Sequence, residues 1–170
     1  MREKMGLHEI IIEREINPVD KVEQVACIND WSFSRDGVDE ISINVIGEWT
    51  EYLISFSWME EYEALHLACS FDLKIPDERE NESTRLLSLI NEQMLVGHFD
   101  LSLSGGWVMY RQALLLNGGA EPTGQQLECQ LSVGLEASER YYQAFQLVVW
   151  AGYSAKEALD SALFETVGNA

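Results

Sequence analysis

From Glu63 to Leu73 the chain alternates strictly, with Leu65, Leu67, Cys69, Phe71 and Leu73 on one side and His66, Ser70 and Asp72 on the other. That period of two predicts a strand buried on one face. Upstream, Trp31–Arg35, Ile41–Val45 and Tyr52–Trp58 alternate in the same way. Asp36-Gly37 supplies a hairpin turn, and Glu60-Glu61-Tyr62 a further reversal. Downstream, Phe99, Leu101 and Leu103 mark a strand that turns at Gly105-Gly106 into Trp107–Leu116, and a two-residue turn there would fix the register of the hairpin.

Helical periods fall between and after these strands. Asn17-Pro18 with Asp20 is an N-cap, a first-turn proline and a first-turn acid, so a helix is expected from about Pro18 to Asn29 with Val22, Val25 and Ala26 inward. Pro76 opens a second, expected over about Asp77 to Val96, whose Leu86, Leu87, Ile90 and Met94 share a stripe. Thr123 and Gln126 form a capping box ahead of Leu127, Leu131, Leu135, Tyr142, Phe145 and Val149, a stripe about 27 residues and roughly 40 Å long. Gly134 lies inside it, where close packing or a bend would offset its helix penalty of about 1 kcal/mol. After Ala151-Gly152, a second capping box, Ser154 with Glu157, starts a short helix with Ala158, Leu159, Ala162 and Leu163 inward.

The order predicts an α+β fold: an antiparallel sheet made of a meander plus a hairpin, with helices packed on one face and further helices at the C-terminal end. Residues 1–16, including Ile10–Ile12, are expected to be an N-terminal extension, and 17–170 a single domain. At 170 residues and 46% apolar content, the chain is long enough to bury a core without covalent staples.

Charge narrows the partners. Eleven basic residues against 29 acidic ones give a formal charge of -18, with no basic cluster to bind phosphate, so neither nucleic acid nor an anionic membrane is expected as a partner. No apolar run approaches the roughly 20 residues of a membrane span, and the first ten residues lack a signal-peptide pattern, which together suggest a cytoplasmic protein. Cys27, Cys69 and Cys129 lack a Cys-x-x-Cys pair and are expected to be reduced, buried and inert.

Several residues could do chemistry by type, and each has a plainer reading. His98, Asp100, Ser102 and Ser104 share one strand face, but neighbours two apart stand roughly 6 to 7 Å from each other. That is too far for a hydrogen-bonded triad in a row, and no strand-turn-helix elbow presents either serine. His66 and Cys69, three apart on a strand, face opposite sides. Glu60, Glu61 and Glu63 are read as a solvated loop tip rather than a cation site. No catalytic, cofactor-binding or metal residue is therefore expected. Of five tryptophans most are expected in the core; Trp58, beside the acidic reversal, and Trp107, beside the glycine turn, are the candidate partner-binding residues.

Taken in order, Asn29–Phe33, Phe56–Trp58, Leu67–Leu73 through Pro76, Gly97–Leu101, Val108–Leu116 and Trp150–Gly152 to Glu165–Gly168 resemble the YbjN-like family of bacterial sensory transduction regulators, over about residues 17 to 170. The resemblance implies a type III secretion chaperone-like fold, commonly dimeric, and a regulatory or protein-binding role in a bacterial cytoplasm, with no catalytic motif to carry over. The expected function is thus a non-enzymatic module, a homodimer that holds a peptide or regulatory protein. The alternative is a small-molecule sensor or enzyme with a pocket between helices and sheet, in which His98, His66 or Arg111 would meet a carboxylate.

Overall fold

Asn17 caps the first helix as expected: its side chain accepts from the Val19 N–H at 2.9 Å, and α1 runs Pro18–Ile28. The structure, a computed structural model, describes residues 15–168, so Ile10–Ile12 and almost all of the expected N-terminal extension lie outside the described residues. Six strands follow or alternate with helices: β1 Ser32–Arg35, β2 Glu40–Ile46, β3 Glu51–Met59, β4 Ala64–Lys74, β5 His98–Ser102 and β6 Trp107–Leu115. The remaining helices are α2 Glu80–Gln93, α3 Gly124–Val149 and α4 Ala155–Gly168.

The strands form one antiparallel sheet in the order β1-β2-β3-β4-β6-β5. β1 to β4 are the meander. The chain then crosses through α2 to the far edge, lays down β5, and returns with β6 into the gap beside β4. α3 lies across β4 and β6, α1 covers β2 and β3, α2 packs on β5 and α3, and α4 stacks on α2 and α3. The predicted α+β arrangement, with helices on one face of the sheet, is the observed one.

Strand alternation decides what this layer buries. Ile41, Ile43, Tyr52, Ile54, Phe56, Leu65, Leu67, Cys69, Phe71, Val108 and Tyr110 point under the helices into one cluster with Leu86, Ile90, Leu127, Tyr142 and Phe145. Burying a side chain of this size contributes about 1.5–3 kcal/mol, which is why the alternation holds over so many strands. Gly134 lets α3 sit this low: a Cβ there would stand 3.2 Å from both Leu67 Cδ2 and Tyr110 Cε1.

Several expectations need correction. α2 begins after a 3-10 turn over Asp77–Arg79 and ends at Gln93, because Met94 turns extended and Gly97 adopts φ +68° to deliver β5 to the sheet edge. The β5–β6 connection is a four-residue loop, 103–106, in which the Ser102 carbonyl accepts from the N–H groups of Gly105 and Gly106 at 3.2 and 2.6 Å. Gly106 is required there, since a Cβ would lie 2.6 Å from the Ile75 carbonyl oxygen. Leu103 therefore leaves the strand and is exposed. On α3 the buried side is broader than the expected stripe and includes Gln130 and Ser138, while Leu135 and Val149 are only half-buried. Cys69 is buried, but Cys27 and Cys129 are exposed on the outward sides of α1 and α3. The tryptophans are mostly not core: Trp58 is buried and Trp31 packs against the cluster, whereas Trp49, Trp107 and Trp150 are exposed.

Candidate functional site

The sheet face opposite the helices carries the alternate residues of each strand. From β3 come Leu53, Ser55, Ser57 and Met59; from β4 come His66, Ala68, Ser70 and Asp72; from β6 come Trp107, Met109, Arg111 and Ala113; from β5 come His98, Asp100 and Ser102. No described helix packs on this side. Two open grooves cross it. One is bounded by Leu53, Ser70, Asp72, Ser102, Trp107 and Met109. It forms where the β4–β6 register shifts between Ser70 and Lys74, so that the strands part locally and the Trp107 indole stands at the groove wall, 43% exposed. Trp58, the other expected anchor, is at 9% exposure and belongs to the core on the opposite side of β3.

The second groove, of about 600 Å³, is lined by Leu95 to His98, His66 and Arg111 to Ala113. Register explains the convergence: His66 faces Ala113 across the β4–β6 pair, and His98 faces Arg111 across the β5–β6 pair. Arg111 donates from Nε to His66 Nε2 at 3.1 Å and from Nη1 to Asp100 Oδ2 at 2.9 Å. Because His66 Nε2 accepts, its ring proton sits on Nδ1. Burial, then the Arg111 charge and then His98, hold the His66 pKa below its ordinary value, so the ring is neutral near pH 7. The Arg111–Asp100 pair is exposed enough for water to screen it.

Of the triad candidates, Asp100 is committed to Arg111 and not to a histidine. Ser102 and Ser104 do touch, Oγ to Oγ at 3.3 Å, because the strand has ended and the chain bends back between them. No hydrogen bond joins His98 to either serine, so the four residues make no relay. The Cys69 thiol receives a hydrogen bond from Ser138 Oγ at 3.3 Å, and burial pushes its pKa up to about 11, which keeps it protonated. Among the described residues no group of three or more His, Cys, Asp or Glu is placed to hold a metal ion, and no helix is long and apolar enough to cross a membrane.

The grooves lie on the open face rather than between helices and sheet; His66, His98 and Arg111 do converge in one of them, but only Arg111 meets a carboxylate, that of Asp100. Sequence reasoning named those three side chains but missed Leu53 and Met109, although strand parity alone assigns both to the polar side of β3 and β6.

Comparison with known proteins supports the same architecture. YbjN from E. coli superposes with a TM-score of 0.53 at 12% identity, covering 71% of this chain and 85% of that one. A chain of the ExsC–ExsE complex superposes with a TM-score of 0.50 at 15% identity, covering 76% and 94%. At such identities the likeness concerns the fold, and it agrees with the type III secretion chaperone-like architecture that the sequence implied. No curated protein matches the sequence. A family model described as "Putative bacterial sensory transduction regulator" matches residues 18–147, and on that match the chain belongs to the YbjN family.

Proposed function

We propose that the chain is a non-enzymatic regulatory or chaperone-like protein-binding module of the bacterial cytoplasm, a homodimer that holds a peptide or regulatory protein on its open sheet face. The observation that carries this reading is the pairing of a helix-covered face with a bare one, on which Trp107, Leu53 and Met109 form an apolar groove in an otherwise polar surface. A rigid sheet orders few groups on binding, and a half-exposed indole at a groove wall is the kind of anchor that dominates interface energies. The ExsC–ExsE neighbour is itself a two-protein complex, which fits the same reading. The charge of -18 would favour basic partners and repel acidic ones.

The test has two parts. Light scattering of the full chain should give twice the 19.3 kDa of one chain. A photo-crosslinker at position 107, expressed in the native cell, should join a discrete protein, and Trp107→Ala should weaken that association by about 2 kcal/mol, a hot-spot loss, with an unchanged melting temperature. A monomer with no crosslink from position 107 would overturn the proposal.

The small-molecule alternative draws on one observation, the convergence of two imidazoles and a guanidinium in the second groove. Soaking or titration with small carboxylates decides it, and the peptide comparison below separates the two.

A further inference from the structure

β6 is longer than its neighbour at the sheet edge. Pairing with β5 stops at His98–Arg111, whereas pairing with β4 continues to Leu115–Ala64. Beyond Arg111, Ala113 to Leu115 therefore have no strand on their outer side among the described residues. Their outer edge is open although β4 pairs with them on the inner side. The rest of that sheet margin is treated differently: the Asn91 amide covers the outer edge of β5, donating to the Phe99 carbonyl at 3.0 Å and accepting from the Phe99 N–H at 2.8 Å. A side chain that imitates a strand neighbour protects one stretch of edge. Next to it, the edge of β6 is left bare.

Gly97 shapes the opening. Its positive φ swings the incoming chain off the line of β5, and it rests so closely on Tyr110 that a Cβ would lie 2.2 Å from the phenol oxygen. Leu95, 98% exposed, and Val96 then stand off as the outer wall of the groove. An extended segment laid against Ala113–Leu115 in the direction of β5 would run straight into Gly97 and His98. It cannot continue past them, so it has to end there. In the antiparallel orientation the end is a C-terminus.

The chemistry at that point suits a terminal carboxylate. Both described histidines and Arg111 gather there, in a chain with 11 basic residues against 29 acidic ones. With Arg111 Nε and Nη1 committed to His66 and Asp100, its Nη2 and the His66 Nδ1–H remain as donors, and His98 is exposed beside them. A peptide in the reverse direction would bring an ammonium group against the Arg111 guanidinium and the same N–H donors.

We propose that this groove captures the C-terminal end of an extended peptide, whose last residues add as a short strand along Ala113–Leu115 and whose terminal carboxylate lies against Arg111, His98 and His66. Backbone pairing supplies affinity and the carboxylate supplies register. The inference rests on the protein-binding reading above, but it concerns a different groove from that of Trp107.

The probes are acetyl-Thr-Val-Thr-Val with a free carboxylate, the same peptide as its C-terminal amide, and acetate alone, titrated into the full chain by NMR. The free acid should bind and shift the amide signals of Ala113 and Leu115. The amide form should bind roughly tenfold more weakly, as expected for one charge-assisted contact, and acetate more weakly still. The two partners of one ion pair should then act with opposite signs: Arg111→Gln weakens binding of the free acid, whereas Asp100→Asn strengthens it by freeing the guanidinium. His98→Gln, at an exposed position, gives the same weakening if Arg111→Gln perturbs the sheet. Trp107→Ala should leave the peptide affinity unchanged. Equal binding of acid and amide, no binding of the acid, or acetate binding as tightly as the peptide would overturn the proposal. In any of those cases crosslinking from position 107 still tests the broader reading separately.

Discussion

Gly134 marks the closest approach between α3 and the sheet, and the fold depends on the missing Cβ there. Leu67 and Tyr110 already lie at 3.2 Å from where that atom would be. Gly134→Val should therefore lose about 1–3 kcal/mol by overpacking, despite the better helix propensity of valine, and urea unfolding of the two proteins will show it. At this scale the sequence was informative wherever a residue had one physical use. An isolated glycine in a strong helical stripe pointed to close packing or a bend, of which the close packing is observed, and alternate large apolar residues meant a buried face. Cysteine and tryptophan have more than one use, and there residue type misled. Cys27 sits one position past Ala26 on α1, enough to rotate it off the buried stripe into solvent. Trp58, singled out as a partner-binding candidate, shares the inward parity of Ile54 and Phe56 on β3 and lies in the core.

Elements were legible to the extent that their ends are encoded locally. Both capping boxes form: Thr123 Oγ1 accepts from the Gln126 N–H at 3.1 Å while Gln126 Oε1 accepts from the Thr123 N–H at 2.9 Å, and Glu157 Oε2 accepts from the Ser154 N–H at 3.1 Å. The far end of α3 is held by a residue that no local pattern could announce. Arg79 donates from Nε to the Val148 carbonyl at 2.8 Å and from Nη2 to the Tyr153 carbonyl at 2.7 Å, tying together the turn between α3 and α4. Beside it, Glu82 Oε2 accepts from the Ala155 N–H at 2.8 Å, serving the first turn of α4. Arg79→Met keeps the aliphatic stem and removes both bonds. It should destabilise the protein by about 1–3 kcal/mol, read as a lower urea midpoint, and amide exchange should quicken first in α4. The boundaries of α2 and the β5–β6 loop were misjudged for the same reason: each is set by what the chain must reach across the sheet, Tyr110 for Gly97 and Ile75 for Gly106, and not by its own sequence.

For the whole molecule, the fold class followed from element order, but the insertion of β6 between β4 and β5 did not, because strand pairing over long separations leaves no local trace. The open face was likewise visible as polar parity on each strand, while its grooves depend on register shifts and unequal strand lengths that appear only on assembly. Charge acts at this scale too. A formal charge of -18 on one small chain means self-repulsion in the folded state, which salt screens. Raising NaCl from about 20 to about 200 mM, across which the screening length falls from about 20 Å to about 7 Å, should raise the urea midpoint. A midpoint that falls or stays level would show that specific ion pairs such as Arg35 with Asp20 and Glu23 outweigh the overall field.

The strict alternation of β4 has an evolutionary corollary. Leu65, Leu67, Cys69, Phe71 and Leu73 answer to the interior, while His66, Ala68, Ser70 and Asp72 between them answer to whatever the outer surface meets. Neighbouring codons along one strand therefore answer to separate physical demands, and a change at every second position can remodel the outer surface without renegotiating the packing beneath.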